Sequence, residues 1–453
     1  MNNVQLHVDL DRPIGKIRAM HGVGQPPWER PHGIALHYLT EANIPYSRLH
    51  DVAYPYGSMI YVDIPNIFRD FDADENDPAS YDFAFTDILI SRLIESGVEP
   101  IYRLGATIEN FVEIKRYHTF VPRDFGKWAR ICEHIVRHYT EGWADGFTHK
   151  ITYWEIWNEP ENNIVDPPRN PMWSGTAEEY YEMYAVAAKH LKACFGDKIK
   201  VGGYASCGLH AVLLEPRRYG IDAEPLSSEP AFRSPRYQAF VQFFYDFLAY
   251  IKREDAPLDF FSWHSYLNTD LTVFMERFVE KTLDEHGYGD AEIHLNEWNN
   301  ANQFSQKGSS FASSRAAAMM CCMHKTNAHM LCYYDAQIGC SRYGGLFDPM
   351  TYRPVSTYYS FKAFGELYAL GNEIACACGD LPALAAVSED GERCAVMIAN
   401  TGEDVTVQGI PADMRAYIVD ETHFLTETNV TNGAIDLPRD TVALLKNFKR
   451  WII

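Results

Sequence analysis

Two glutamates sit at the ends of short apolar runs, each among asparagine and tryptophan. The first run reads Thr152-Tyr153-Trp154-Glu155-Ile156-Trp157-Asn158-Glu159-Pro160-Glu161-Asn162, and the second Glu292-Ile293-His294-Leu295-Asn296-Glu297-Trp298-Asn299. Two carboxyl groups facing each other across a sugar suit cleavage of a glycosidic bond. One acid protonates the leaving oxygen, and the other carboxylate attacks the anomeric carbon or activates water. The residue types leave open which of Glu159 and Glu297 takes which part. Pro160 cannot extend a strand ladder, so Asn158 and Glu159 are expected at a strand's carboxyl end. In a barrel of parallel strands that end is the active face.

Other polar residues gather at similar ends. Arg48, His50 and Asp51 close a strand expected over Tyr46–Val52, and His264 and Tyr266 close one over Leu258–Tyr266. Asp335 ends a run from His329 and is expected to reach a sugar. Asn158 is placed to hydrogen-bond a sugar 2-OH, a contact that strengthens in the transition state. Tyr266 is expected to donate to the nucleophile, His264 to support the site, and Arg48 to lower the pKa of Glu297 by its charge. Trp298 is read as substrate-binding. A lone glutamate at a strand end is commonly just solvated, and a tryptophan-rich strand is commonly core. Two such glutamates on strands four and seven make that reading inadequate. Glu155 shares the facing of Glu159 and is expected inside the barrel, whereas Glu161, past the proline, is read as a loop residue. Serine chemistry lacks a GxSxG elbow.

The elements that must carry these residues alternate regularly. Strands are expected at Arg18–Gly24, Tyr46–Val52, Val98–Gly105, Tyr153–Trp157, Lys198–Tyr204, Leu258–Tyr266, Glu292–Asn299 and His329–Asp335. Between and after them, helical spacing covers Glu29–Glu41, Phe83–Ser96, Phe125–Thr140, Ala177–Phe195, Arg236–Arg253, Phe274–His286, Ser309–Thr326 and Thr357–Leu370. This is the pattern of an α/β fold, a (β/α)8 TIM barrel with insertions. A doubly wound sheet would show a GxGxxG turn, and none is present. From about Ile374 short strands alternate with turn residues, which indicates an accessory β-sandwich. Val4–Leu10 has no barrel partner and is expected to join it. The expected domains are therefore 1–17 with the sandwich, 18–370 as the barrel, and 371–453 as the sandwich proper.

The segment Tyr54–Tyr81 is long and includes Asp70-Phe71-Asp72-Ala73-Asp74-Glu75-Asn76-Asp77. Glu75 and Tyr81 stand where a calcium loop needs glycine and glutamate, so a solvated loop is expected. The ten cysteines lie in apolar runs without zinc-ribbon spacing, as small core residues would. The formal charge of −21 disfavours a nucleic-acid partner but is compatible with a neutral sugar. Aromatic content of 14% would suit stacking on sugar rings, although core filling accounts for most of it. Met1–Gln25 lacks an apolar h-region, and no run is long enough to span a bilayer, so a cytoplasmic protein without membrane association is expected. Neither cofactor nor metal is required by the chemistry.

The run Trp154-Glu155-Ile156-Trp157-Asn158-Glu159-Pro160 resembles the acid/base motif of clan A glycoside hydrolases, and most closely that of glycoside hydrolase family 39. The likeness extends to His21-Gly22-Val23-Gly24, Arg48-Leu49-His50-Asp51, Leu104-Gly105 and the strand-seven glutamate. That family includes β-xylosidases and α-L-iduronidases. The resemblance implies a retaining double displacement with Glu159 as acid/base, Glu297 as nucleophile, and carboxyl groups about 5–5.5 Å apart. It also implies possible homo-oligomers. Strand eight departs from the β-xylosidase pattern, reading Tyr333-Tyr334-Asp335-Ala336-Gln337, and Asn296 stands where threonine often precedes the nucleophile. The expected activity is exo-acting and β-xylosidase-like on short oligosaccharides. β-Galactosidase, β-glucosidase and α-L-arabinosidase are alternatives, and a non-catalytic sugar binder is a more distant one.

Overall fold

The computed structural model describes residues 2–28, 35–50, 52, 62–106, 120–163, 172–338, 341 and 343–452. The predicted helix at 29–41 is described only from 35, and the segment 54–81 only from 62.

After β1 (Asn2–Lys16), eight strands close a barrel in chain order: β2 (Ala19–Gly24), β3 (Tyr46–Leu49), β4 (Glu99–Leu104), β5 (Tyr153–Ile156), β6 (Lys200–Ser206), β7 (Phe260–Ser265), β8 (Glu292–Trp298) and β9 (Ala328–Tyr333). The pairings β2–β9, β4–β5, β5–β6 and β6–β7 are parallel. Helices α1 (His37–Glu41), α2 (Ile64–Ile67), α3 (Ala84–Glu95), α4 (Phe125–Thr140), α5 (Ala177–Phe195), α6 (Pro235–Arg253), α7 (Thr269–Glu285), α8 (Ser310–His324) and α9 (Ser356–Leu370) fill the crossovers. The barrel strands are buried almost throughout, as strands covered on both faces must be. Gly202 in β6 has a reason to be glycine: a Cβ there would lie 2.1 Å from the Phe260 carbonyl oxygen of β7.

Two compact units divide the chain, one of residues 47–265 and 274–297, the other of 1–46, 266–273 and 298–453. Within the first, α4 and α5 flank the Glu159 strand in sequence. Asp124 caps α4 by accepting from Lys127 N at 2.9 Å, and Thr176 and Glu179 form a reciprocal capping box at the start of α5. The second holds a nine-stranded sheet in the order β15-β14-β17-β12-β11-β10-β1-β13-β16. Its later strands are β10 (Asn372–Cys378), β11 (Ala383–Val387), β12 (Cys394–Asn400), β13 (Val405–Gln408), β14 (Arg415–Val419), β15 (Phe424–Thr428), β16 (Ala434–Leu437) and β17 (Thr441–Lys446). β1 joins two groups of strands: residues 2–5 run parallel to β13, and residues from Leu6 onward run antiparallel to β10. One hydrophobic cluster takes Val407, Ile435 and Leu437 from one group and Val396, Ile398 and Leu445 from the other. The sheet thus folds over itself through β1.

Two boundaries differ from expectation for local reasons. β1 continues past Leu10 to Lys16, because Pro13 sits at a register shift where a missing N–H is tolerated. Helix α7 starts at Thr269 and not at Phe274. Asn268 accepts from Leu271 N at 3.0 Å, so a polar first turn precedes the apolar periodicity. The acidic run is exposed at Asp70, Asp72, Asp74 and Asp77, while Glu75 turns inward to Arg130 and Lys127. The nine cysteines described are free thiols. Among the described residues no helix is long and apolar enough to cross a membrane.

Candidate active site

The backbone turns sharply where the fourth barrel strand ends. β5 stops at Ile156, and Trp157 and Glu159 both adopt left-handed conformations, with φ of 73° and 48°. Such a conformation costs a non-glycine residue about 1–2 kcal/mol. It is held by Trp157 N donating to the Leu104 carbonyl at 2.8 Å and by Glu159 N donating to the Tyr204 and Ala205 carbonyls at 3.2 and 3.1 Å. The Trp157 indole donates to the Met172 carbonyl at 2.7 Å. The strand is therefore ended by Trp157, one turn before the proline that marks its end in the sequence. Pro160 instead opens a short 3-10 turn, Pro160–Asn163.

Arg48, from the end of β3, organises the barrel interior. It is fully buried, and its guanidinium donates from Nε to Glu155 at 2.8 Å, from Nη1 to Glu297 Oε2 at 3.1 Å and from Nη2 to Asn158 Oδ1 at 2.6 Å. One permanent cation thus orients a carboxylate on β8 and the asparagine beside Glu159. Glu155 lies inside the barrel as its facing predicts, and also accepts from Ser262 Oγ at 2.6 Å and from Asn296 Nδ2. The Arg48–Glu155 pair leaves neither charge uncompensated in a site without bulk water.

His264 stands between the two glutamates. Its Nδ1 is 2.7 Å from Glu159 Oε1 and its Nε2 is 3.6 Å from Glu297 Oε2. An oxygen of Glu159, an oxygen of Glu297 and a ring nitrogen of His264 all lie within 4.8 Å of one another. Both glutamates are 7% exposed, so each carboxyl group is held yet reachable. Burial, the largest influence on Glu159, pushes its pKa up. The His264 ring, the Cys207 thiol and the Asn162 amide outweigh burial and hold the carboxyl below the ordinary range. His50, also buried, is kept neutral: burial first, then the Arg48, Arg103 and His264 charges, push its imidazole well below its ordinary pKa.

The second glutamate of the NEPE run is not an ordinary loop residue. Glu161 is fully buried, with Oε1 accepting from Ser206 Oγ at 2.9 Å and from Cys207 N at 2.5 Å, while Oε2 has no hydrogen-bond partner. Burial, then the neighbouring Glu159 charge, raise its pKa from 4.5 to about 8. A carboxyl whose folded pKa lies above its unfolded one favours folding most when protonated. Its contribution is complete below about 4.5 and is lost as pH rises through about 8. Denaturant unfolding of Glu161→Gln at pH 5, 7 and 9 should thus show a flatter pH dependence than the wild type, by up to about 1.4 kcal/mol per pH unit in that window. Parallel curves for the two proteins would refute the buried-acid assignment.

A second relay reaches Glu159 from outside the barrel. Asn162 Nδ2 donates to Glu159 Oε2 at 3.1 Å, and Arg236, in the first turn of α6, donates to Asn162 Oδ1. Arg236 has no acceptor capacity, so it fixes the amide with Nδ2 toward the glutamate. Removing the donor in Asn162→Ala should raise the Glu159 pKa. The alkaline limb of kcat/KM would then move up by about one unit, and Arg236→Met should move it in the same direction by less. An unmoved limb in both variants would contradict the relay.

The remaining predicted residues are placed as follows. Asp51 lies outside the described residues. Tyr266 follows β7; its carbonyl accepts from Asn302 Nδ2 at 2.6 Å and its ring is 5.5 Å from Tyr343. Asp335 is buried after β9 and accepts from Ser341 Oγ at 2.6 Å. Trp298 is fully buried, edge-on to Tyr333 at 5.2 Å and stacked over Phe361, so its ring packs a core and offers no open face for stacking. Sequence reasoning missed Glu161, Asn162, Arg236 and Arg103, the last paired with Asp63 at 2.6 Å with both side chains buried. Arg103 carried a signal, since it interrupts the apolar Ile101-Tyr102-Arg103-Leu104 strand. Arg236 carried none, because a basic residue at a helix start reads as solvated.

A closed (β/α)8 barrel with two glutamates at the carboxyl ends of its fourth and seventh strands, joined by a histidine and ordered by a buried arginine, defines a glycosidase-type site. The family model of glycosyl hydrolases family 39 matches residues 41–321, and the chain belongs to that family. A β-xylosidase of Caldicellulosiruptor saccharolyticus is 28% identical over 133 residues, covering 28% of this chain and 26% of that protein's length. The chain therefore spans about a quarter of that relative. Among solved structures, a glucosidase from Croceicoccus marinus is similar at TM-score 0.74 and 22% identity, covering 98% of this chain and 99% of that one. A family 39 β-xylosidase from Caulobacter crescentus is similar at TM-score 0.67 and 18% identity, with the same coverage. These likenesses show the fold.

Proposed function

We propose that the protein is a retaining exo-glycosidase, β-xylosidase-like, that acts on short oligosaccharides by double displacement. Residues 18–370 would form its catalytic domain, and 1–17 with 371–453 its accessory domain. The observation that carries the mechanism is the spacing of Glu159 and Glu297, whose nearest oxygens lie within 4.8 Å. Retaining enzymes hold their carboxyl groups about 5–5.5 Å apart, whereas inverting ones leave about 6.5–9.5 Å for a water.

Partner chemistry supports the roles. Glu297 faces Arg48, a charge that never titrates, which suits a nucleophile that must stay ionised. Glu159 instead makes its contacts to the His264 ring and the Asn162 amide, and the family resemblance assigns it the part that is acid in one step and base in the next. In the first step protonated Glu159 gives its proton to the leaving oxygen as Glu297 attacks C1. In the second, Glu159 takes a proton from water as water displaces Glu297. The depressed Glu159 carboxyl makes its ionised form available for that second step. Asn158, oriented by Arg48, would donate to the sugar 2-OH. Tyr266 and Asp335 are proposed to line the sugar subsites, and the sugar assignment follows the β-xylosidase relatives.

A panel of nitrophenyl glycosides tests this reading: β-D-xyloside, β-D-galactoside, β-D-glucoside, α-L-arabinoside and α-L-iduronide. β-D-Xyloside is expected to be cleaved fastest. A different clear preference would replace the sugar and keep the mechanism; absence of turnover on all five and on xylobiose would overturn the function.

A further inference from the structure

Away from the active site, α4 and α5 bring three metal-ligating side chains together. His190 and Cys194 are four residues apart on α5, so they share a face one turn apart. Glu133 on α4 faces them. Its Oε2 is 2.6 Å from His190 Nε2, and that nitrogen is 3.8 Å from Cys194 Sγ. The three ligand atoms lie within 4.8 Å of one another. We propose that Glu133, His190 and Cys194 form a binding site for a borderline divalent transition metal of the zinc class, with water as the fourth ligand.

The geometry fits that ion. Zinc bonds of about 2.0–2.3 Å to O, N and S at tetrahedral angles put ligand atoms about 3.3–3.6 Å apart. The His190–Cys194 separation is close to this already. The shorter Glu133–His190 contact is a hydrogen bond whose proton the metal would replace. Arg137 Nε donates to the other Glu133 oxygen at 2.7 Å, and a ligating carboxylate commonly has such a partner; the same guanidinium also reaches the Cys194 sulfur, which metal binding would take from it. The Arg137 charge is shared with Glu141, so the local balance with a thiolate stays negative. Side-chain exposures of 30% for His190 and 14% for Glu133 leave an entry path. In the metal-free site burial, then the Glu133 charge, raise the Cys194 pKa, so binding releases a proton. A bound ion would tie together α4 and α5, the helices that precede and follow the Glu159 strand.

The test uses the full chain, stripped with chelator and titrated with Co2+ and, separately, Zn2+. One equivalent of Co2+ should produce a thiolate-to-cobalt charge-transfer band, and excess Zn2+ should raise Tm by about 5 °C. Cys194→Ser should abolish the band, and His190→Gln should weaken Co2+ affinity at least about tenfold. Both variants should keep wild-type circular dichroism and metal-free glycosidase turnover. A band that survives Cys194→Ser would place the ion elsewhere, for example at Cys207 beside Glu159. That result, or no band and no shift in Tm, overturns the proposal.

Discussion

Glu297→Ala is expected to lower kcat by on the order of 10⁴-fold or more while leaving the fold intact, because a covalent route loses the group that forms the covalent bond. Glu159→Ala should behave differently. With an alkyl or sugar leaving group, loss of the acid should cost about 10²–10⁴-fold. With a dinitrophenyl glycoside, whose leaving group needs no proton, the first step should be nearly preserved and the second slowed, so a burst should precede slow turnover. Azide discriminates further. In Glu297→Ala it can fill the vacated space and attack C1 directly, giving a glycosyl azide of inverted configuration. In Glu159→Ala it attacks the glycosyl-enzyme and gives the retained one. Both assays read the product, so misfolding cannot mimic the pattern. If both variants gave the same azide anomer, the division of roles between the two glutamates would be wrong.

The second large effect belongs to Arg48. Its guanidinium serves Glu155, Glu297 and Asn158 at once, all of them buried. Arg48→Met keeps much of the volume but takes the arginine charge away from Glu155 and Glu297 in a closed interior. Breaking a buried pair by removing one partner costs about 3–5 kcal/mol. Arg48→Met should therefore lower the denaturation midpoint as well as kcat, and Arg48→Lys should recover part of the stability but little of the activity, since one ammonium cannot reproduce a three-way fork. Glu155→Gln in the Arg48→Met background should be less destabilising than the sum of the two changes, because it removes one of the stranded charges. Additive losses would show that the two side chains do not act as one unit.

Much of this was legible in the sequence because barrel strands write their purpose twice. Each is a short, largely apolar run, and those that carry the candidate site place polar residues near their carboxyl ends. Glu159, Glu297, Arg48 and His264 all carried that double mark, and the structure brings these four together. The residues that escaped notice belong to irregular backbone. Glu161 and Asn162 follow a proline, where no periodicity says which way a side chain turns. Their burial depends on the left-handed turns at Trp157 and Glu159, which a tryptophan and a glutamate do not announce. Trp298 shows the converse: it is read from the sequence as substrate-binding beside Glu297, yet neighbours on a strand point to opposite faces, and its ring packs against Tyr333 and Phe361.

A trapped intermediate bears on the central claim most directly. A 2-deoxy-2-fluoro glycoside of the preferred sugar, carrying a dinitrophenyl leaving group, slows both steps by destabilising the oxocarbenium-like transition state. Its good leaving group keeps the first step the faster one. Intact mass spectrometry should show one fluorosugar added per chain, and peptide mapping should place it on Glu297. An adduct on Glu159 would reverse the roles, and hydrolysis of the compound without any adduct would contradict the double displacement itself.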